Sequence, residues 1–116
     1  MTIGIVGLGL IGGSFAKAYS DNDEHKVLAY NRSKEVIQAA YNDKAIDGEL
    51  NEGNIKDCDL ILLCLYPQLC IDYLTKMAPY ICKDAMVIDC CGTKELICQS
   101  CYPIAKHLLF YYILWL

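Results

Sequence analysis

Six residues near the start of the chain, Gly7-Leu8-Gly9-Leu10-Ile11-Gly12, follow a short apolar run and open a stretch with helical spacing. Glycines at this spacing do chemistry without side chains, because they let backbone N–H groups close around phosphate oxygens. Gly7 permits a tight turn, Gly9 lets the backbone approach a pyrophosphate with no Cβ in the way, and Gly12 allows a helix to pack closely on a strand. The helix N-terminus then offers unpaired N–H groups and a partial positive charge. Position between a strand and a helix is what lifts the pattern above chance. The competing explanation is a glycine turn that holds no ligand.

A second polar set, Asn31, Arg32 and Ser33, follows Tyr30 at the end of the next apolar run. A carboxylate here would hydrogen-bond the adenosine ribose of NAD, and none is present. Arg32 can pair with a 2′-phosphate and lie on the adenine face, while Ser33 and Lys34 add donors, so the segment suits NADP better than NAD. The plainer alternative has Asn31 and Ser33 ending a strand and capping a helix, with Arg32 solvated. Neither histidine is well placed for acid–base work. His25 falls in the turn before the second strand, at the end of a sheet remote from the ligand edge. His107 closes a helix, where a cation suits the dipole. No catalytic residue is assigned.

These groups need a scaffold, and the hydropathy pattern supplies one. Thr2–Val6, Lys26–Tyr30, Leu60–Leu65 and Ala85–Asp89 read as strands; Gly13–Ser20, Ser33–Tyr41, a segment opened by Pro67, and Thr93–Lys106 read as helices. Residues 42–59 are polar, with room for a short strand near Ala45–Ile46 and a helical turn. Strands apolar on both faces that alternate with helices imply a doubly wound α/β fold around a parallel sheet, the Rossmann NAD(P)-binding arrangement. Ligands then bind outside the carboxyl ends of the strands, at residues 7–14, 31–34, 66–68 and 90–94.

Composition narrows the partners. The chain has 116 residues, 55% apolar and 21% charged, with 10 cationic against 14 acidic side chains and a net charge of −4. This is one domain with ample core, not a disordered chain, and it has no broad basic surface for nucleic acid or an anionic membrane. Eight cysteines without a secretory leader point to a reducing cytoplasm. Cys64, Cys90 and Cys91 sit in or just after apolar runs, as small hydrophobes. The single CxxC of Cys98 and Cys101 lacks the added ligands of a zinc site, so no metal is expected. Lys106 and His107 interrupt the only approach to a membrane span.

The stretch Ile3-Gly4-Ile5-Val6-Gly7-Leu8-Gly9-Leu10-Ile11-Gly12-Gly13-Ser14 resembles the opening of prephenate dehydrogenases. Ile11-Gly12-Gly13-Ser14 is its more specific part, since related β-hydroxyacid dehydrogenases usually carry a methionine before the third glycine. Residues 59–67 are similar to that family's fourth strand and nicotinamide-side loop, and residues 87–94 to its fifth strand and substrate-facing loop. The resemblance runs over about residues 3–107. It implies oxidative decarboxylation of prephenate to 4-hydroxyphenylpyruvate in tyrosine biosynthesis, with hydride passed to a nicotinamide. It also adds Leu65, Tyr66, Pro67, Cys91 and Gly92 to the cofactor contacts. Gly92 stands where many members carry a serine, which leaves that role vacant or moves it to Thr93. The family's Gly-Gly-His-Pro segment and its helical C-terminal dimerisation domain, with a substrate-binding arginine, have no counterpart here. The expectation is a dinucleotide-binding domain over residues 1–107, truncated before the helical domain and inactive alone. Residues 108–116 form an apolar tail, either a sixth strand or an aberrant terminus. Prephenate would bind only with a C-terminal domain supplied, and the tail would favour self-association. Two other readings stand: a non-enzymatic dinucleotide-binding regulatory module, and another β-hydroxyacid reductase, against which residues 11–14 argue.

Overall fold

A computed structural model of the chain describes residues 1–90 and the backbone of residues 111–114. The helix expected at 93–106, and with it Cys91, Gly92, Thr93, Lys94, Cys98, Cys101 and His107, lies outside the described residues. In chain order the elements are β1 (Thr2–Val6), α1 (Leu10–Ser20), β2 (Lys26–Tyr30), α2 (Lys34–Asn42), β3 (Gly48–Glu49), β4 (Leu60–Leu63), α3 (Pro67–Met77), β5 (Met86–Asp89) and β6 (Tyr111–Leu114). A 3-10 turn at Ile55–Asp57 precedes β4, and another at Ala78–Tyr80 prolongs α3.

All strand pairs are parallel, and the sheet runs β3-β2-β1-β4-β5-β6. The chain winds outward from β1 to β3, then crosses to β4 and winds outward the other way. The order therefore reverses between β1 and β4, which opens a crevice at their carboxyl ends. Both sheet faces are covered, so these strands are apolar on both sides. Ile3, Ile5, Leu60 and Leu62 pack with Ala16 of α1 and Ile37 of α2 on one face. Val6, Ile61, Leu63 and Val87 pack with Cys70, Leu74 and Met77 of α3 on the other. Each strand residue in these clusters is under a tenth exposed.

Several boundaries differ from the hydropathy reading, for identifiable reasons. Helix α1 begins at Leu10, inside the glycine motif, because the Gly13 N–H already bonds the Gly9 carbonyl at 2.8 Å. Strand β4 stops at Leu63 and β5 starts at Met86, one or two residues inside the apolar runs. Ser33 occupies the N-cap position of α2, yet its hydroxyl makes no capping bond. The short strand lies at Gly48–Glu49 and not near Ala45–Ile46. Ala45 and Ile46 are buried plugs under the sheet. Asp47 takes up the pairing next to them, accepting the Val27 N–H on Oδ2 at 2.7 Å and donating its own N–H to the Val27 carbonyl at 2.7 Å. Before these plugs, Lys44 adopts φ of 60°, and the Ala45 N–H bonds the Ala40 carbonyl at 2.9 Å, closing the end of α2 in a Schellman-like turn.

Candidate functional site: a glycine cradle and an adjoining cavity

The loop after β1 is held from both sides. The Gly7 N–H donates to the Tyr30 carbonyl at 2.8 Å, and the Cys64 N–H donates to the Val6 carbonyl at 2.8 Å. Both neighbouring strands thus stay paired with β1 up to the point where the loop departs. Gly7 turns there with φ of 100°, a conformation glycine adopts at little cost. A Cβ on it would lie 2.7 Å from both the Cys64 carbonyl oxygen and Leu65 Cδ2. A Cβ on Gly12 would lie 1.8 Å from the Gly7 carbonyl oxygen and 3.3 Å from Cys64 Cβ, so the first turn of α1 rests directly on the loop and on β4. Gly9 differs from both, since a Cβ there would meet nothing within 4 Å. Its lack of a side chain serves no protein contact; it leaves space in front of the loop.

That space faces donors. Gly9 is the N-cap of α1, so the N–H groups of Leu10, Ile11 and Gly12 precede the first bond within the helix. No acidic side chain occupies the first turn, and the positive end of the helix dipole is uncompensated there. The side chains of Leu10 and Ile11 point away, at 90% and 55% exposed. The Leu8 N–H is already used: it donates to Asn31 Oδ1 at 3.0 Å, while Asn31 Nδ2 donates to the Ser33 carbonyl at 3.4 Å. Asn31 is therefore a clasp between the two loops, a role that neither a ribose contact nor a strand end would suggest.

Beyond this clasp lies a cavity of about 630 Å³, within the range of small-molecule sites. Tyr30, Arg32 and Lys34 line it from the β2 side, Glu49 at the end of β3 and Leu50 to Gly53 from the segment after it, and Leu65, Leu69, Asp72, Tyr73 and Lys76 from the β4–α3 side. The rings of Tyr30 and Tyr73 meet at 5.1 Å between centroids and join β2 to α3. The Tyr73 hydroxyl is buried without a hydrogen-bond partner among the described residues, and burial pushes its phenol up from the ordinary tyrosine value. The segment after β3 is pinned by its own amides. Asn51 Oδ1 accepts from Gly53 N–H at 2.8 Å and Asn54 N–H at 3.1 Å, Asn54 Oδ1 accepts from Asn51 N–H at 2.8 Å, and Asn54 Nδ2 donates to the Glu49 carbonyl at 2.8 Å. Lys34 and Glu49 form an ion pair across this wall.

Gly7 and Gly12 thus lie against Cys64, with Leu65 beside Gly7, and Leu8 is tied to Asn31, while Arg32 and Leu65 line the cavity, whose lining includes no residue of the glycine loop. Tyr66 stands 81% exposed at the N-cap of α3, with Pro67 as the first helical residue. Glu49 and Tyr73 were not legible as site residues: a two-residue strand carries no periodic signal, and Tyr73 reads as an ordinary helix position. His25 lies ahead of β2, edge-on to Tyr19 at 5.6 Å between ring centroids, at the amino edge of the sheet. Beside the glycine loop the Cys64 thiol is pushed up from its ordinary value, chiefly by its hydrogen bond with Cys90 and then by burial. Among the described residues, no group of three or more metal-ligating side chains could hold an ion, and no helix is long and apolar enough to cross a membrane.

A parallel sheet in this order with a glycine cradle at its reversal point defines a doubly wound nucleotide-binding domain. The family model for the prephenate dehydrogenase nucleotide-binding domain matches residues 15–109, and the chain belongs to that family of dehydrogenase domains. Among solved structures, the chain is similar to Synechocystis arogenate dehydrogenase, with 28% identity and a TM-score of 0.78 over 91% of this chain and 37% of that one. It is also similar to the Aquifex aeolicus prephenate dehydrogenase in complex with hydroxyphenyl propionate and NAD+, with 25% identity and a TM-score of 0.81 over 98% of this chain and 40% of that one. A Streptomyces aurantiacus imine reductase, at 17% identity and a TM-score of 0.79, shares the fold. No curated protein sequence gives a significant match. The chain spans about two fifths of the length of these dehydrogenases.

Proposed function

We propose that this chain is the dinucleotide-binding part of a prephenate or arogenate dehydrogenase, and that it takes NADP in preference to NAD. The observation that carries the reading is Gly9: a position with open space in front of it, at the N-terminus of a helix whose first N–H groups have no intrahelical acceptor. The residues fit a dinucleotide. Gly7 to Gly12 would hold the pyrophosphate, Arg32 and Ser33 the adenosine ribose end, and Leu65, Tyr66 and Pro67 the path toward the nicotinamide, with Cys91 and Gly92 added by the family pattern. When bound, the nicotinamide supplies a hydride acceptor. The chain's own contribution is to anchor and aim it from the crevice between β1 and β4.

Gly9→Val tests this directly. The variant is expected to lose binding of both dinucleotides in calorimetry while melting within a few degrees of the wild type, because a Cβ at this position has no neighbour within 4 Å. Unchanged binding would show the loop to be purely structural. In the same titrations Arg32→Ala should weaken NADP about ten-fold, the scale of a charge-assisted pair, and leave NAD little changed. Equal NADP affinity in the two proteins would remove Arg32 from the site.

By itself the chain is expected to bind the dinucleotide and not to reduce it when prephenate is added. Hydride transfer with loss of carbon dioxide needs a base or hydrogen-bond partner for the ring hydroxyl and cations for the carboxylates, in register with the nicotinamide. Among the described residues, His25 stands at the amino edge of the sheet, away from the carboxyl ends of the strands. Prephenate-dependent growth of nicotinamide absorbance would overturn this expectation.

A further inference from the structure

The ion pair between Lys34 and Glu49 stands on the wall of the cavity that Arg32 also lines. The end of β2 carries no acid, yet the fold delivers one from the adjacent strand: Glu49 is in register with Ala29 of β2, and the following Leu50 N–H bonds the Ala29 carbonyl at 2.8 Å. The Asn54 amide holds the Glu49 carbonyl from the other side, so this carboxylate has a fixed root beside the adenosine end of the crevice. Around the cavity, Arg32, Lys34 and Lys76 face Glu49, Glu52 and Asp72, three charges of each sign. Arg32 makes no ion pair among the described residues, whereas Lys34 is committed to Glu49.

We infer that Glu49 sets how strongly the chain discriminates between NADP and NAD, by occupying Lys34 and by placing a negative charge near the ribose 2′ position. The inference rests on the reading that Arg32 faces that ribose. A phosphate monoester brings about two negative charges to a wall with no net positive charge. It can recruit Lys34 only by displacing a carboxylate that remains nearby and repels it. NAD, with a 2′-hydroxyl, meets neither obstacle. Glu49 is thus a positioning residue that limits NADP binding, and Arg32 supplies the cation it does not control.

The experiment is a titration of NADP+ and NAD+ into the full chain at constant low ionic strength, since salt screens charges this exposed. The proteins are wild type, Glu49→Gln, Lys34→Gln and the double variant. Loss of an exposed pair costs little stability, so Glu49→Gln is expected to fold, which its melting curve checks. The ratio of NADP to NAD affinity should rise about five-fold in Glu49→Gln, through tighter NADP binding. In the Lys34→Gln background the same change should give less than half that gain. A ratio unmoved by Glu49→Gln overturns the inference, and an undiminished gain without Lys34 overturns the part played by the ion pair. Failure of every protein to bind either dinucleotide would overturn the functional reading and this inference together. Binding of both with an unmoved ratio would overturn this inference alone.

Discussion

Among the described residues the chain enters positive φ at two points, Gly7 at 100° in the loop after β1 and Lys44 at 60° after α2, ahead of the strand that brings Glu49 to the cavity. At Gly7 the residue is suited to the turn, and everything nearby depends on it: the loop, the first turn of α1 and the carbonyl of Cys64 are packed with no room for a Cβ. At Lys44 an ordinary side chain accepts a left-handed conformation so that Ala45 and Ile46 can plug the sheet and β3 can begin late. The glycine cradle is a local device, built from consecutive residues whose identities are fixed by contacts within it. The cavity wall is a tertiary device, assembled from β2, the segment after β3, and α3, and held by amides and an ion pair that tolerate adjustment. The lesson is that, on the proposed reading, the part that would anchor a pyrophosphate and the part that would meet an adenosine are built differently, one from consecutive residues and the other from separate elements.

Three substitutions would sharpen or break this contrast. Gly12→Ala should have the largest effect, a loss of about 3 kcal/mol in denaturant unfolding, despite alanine's better helix propensity. Its methyl would overlap the Gly7 carbonyl oxygen, which is backbone and cannot move aside alone. A variant as stable as the wild type would mean the cradle is looser than its packing implies. Asn54→Ala should cost less, about 1.5 kcal/mol, by removing its bonds to the Asn51 N–H and the Glu49 carbonyl. Its melting transition should fall with little change in the steepness of unfolding, and no shift would deny the amides their part in holding the wall. Lys44→Gly should have the smallest effect and the opposite sign, raising stability by about 0.5 kcal/mol as relief of the left-handed strain exceeds the entropy lost by glycine. Destabilisation would place Lys44's contribution in contacts of its side chain.

The same division governs what could be read from the sequence. The four interior strands and the glycine cradle were legible because their causes are local: continuous apolar runs for strands buried on both faces, and three glycines in a fixed spacing between strand and helix. Pro67 at the start of α3 was legible for the same reason, since a missing N–H costs nothing in a first turn. The segment from Asn42 to Asp59 was not. Its strand is two residues long, Asp47 stands in for a ladder bond, and Asn51 and Asn54 fold it through side-chain amides whose partners no period reveals. No acid follows β2 directly, and the sequence shows that plainly. That a carboxylate arrives from β3 instead follows from strand order, which only the folded chain supplies. Asn31 shows a subtler limit: its residue type fits a ribose contact, a strand end and a clasp equally well, and the bond it accepts from the Leu8 N–H comes only with the folded chain.

The close seating of Gly12 against Cys64 also bears on how this chain can drift over generations. With a glycine Cβ position only 3.3 Å from Cys64 Cβ, the site below the helix has a ceiling on volume. Cysteine, alanine and serine put at most one further heavy atom on that Cβ, whereas the branched Cβ of valine puts two at the contact. At position 64, just after β4, branching at Cβ is therefore weighed against the seat of α1. A thiol at this place, unbranched at Cβ, is compatible with the close seat of the helix.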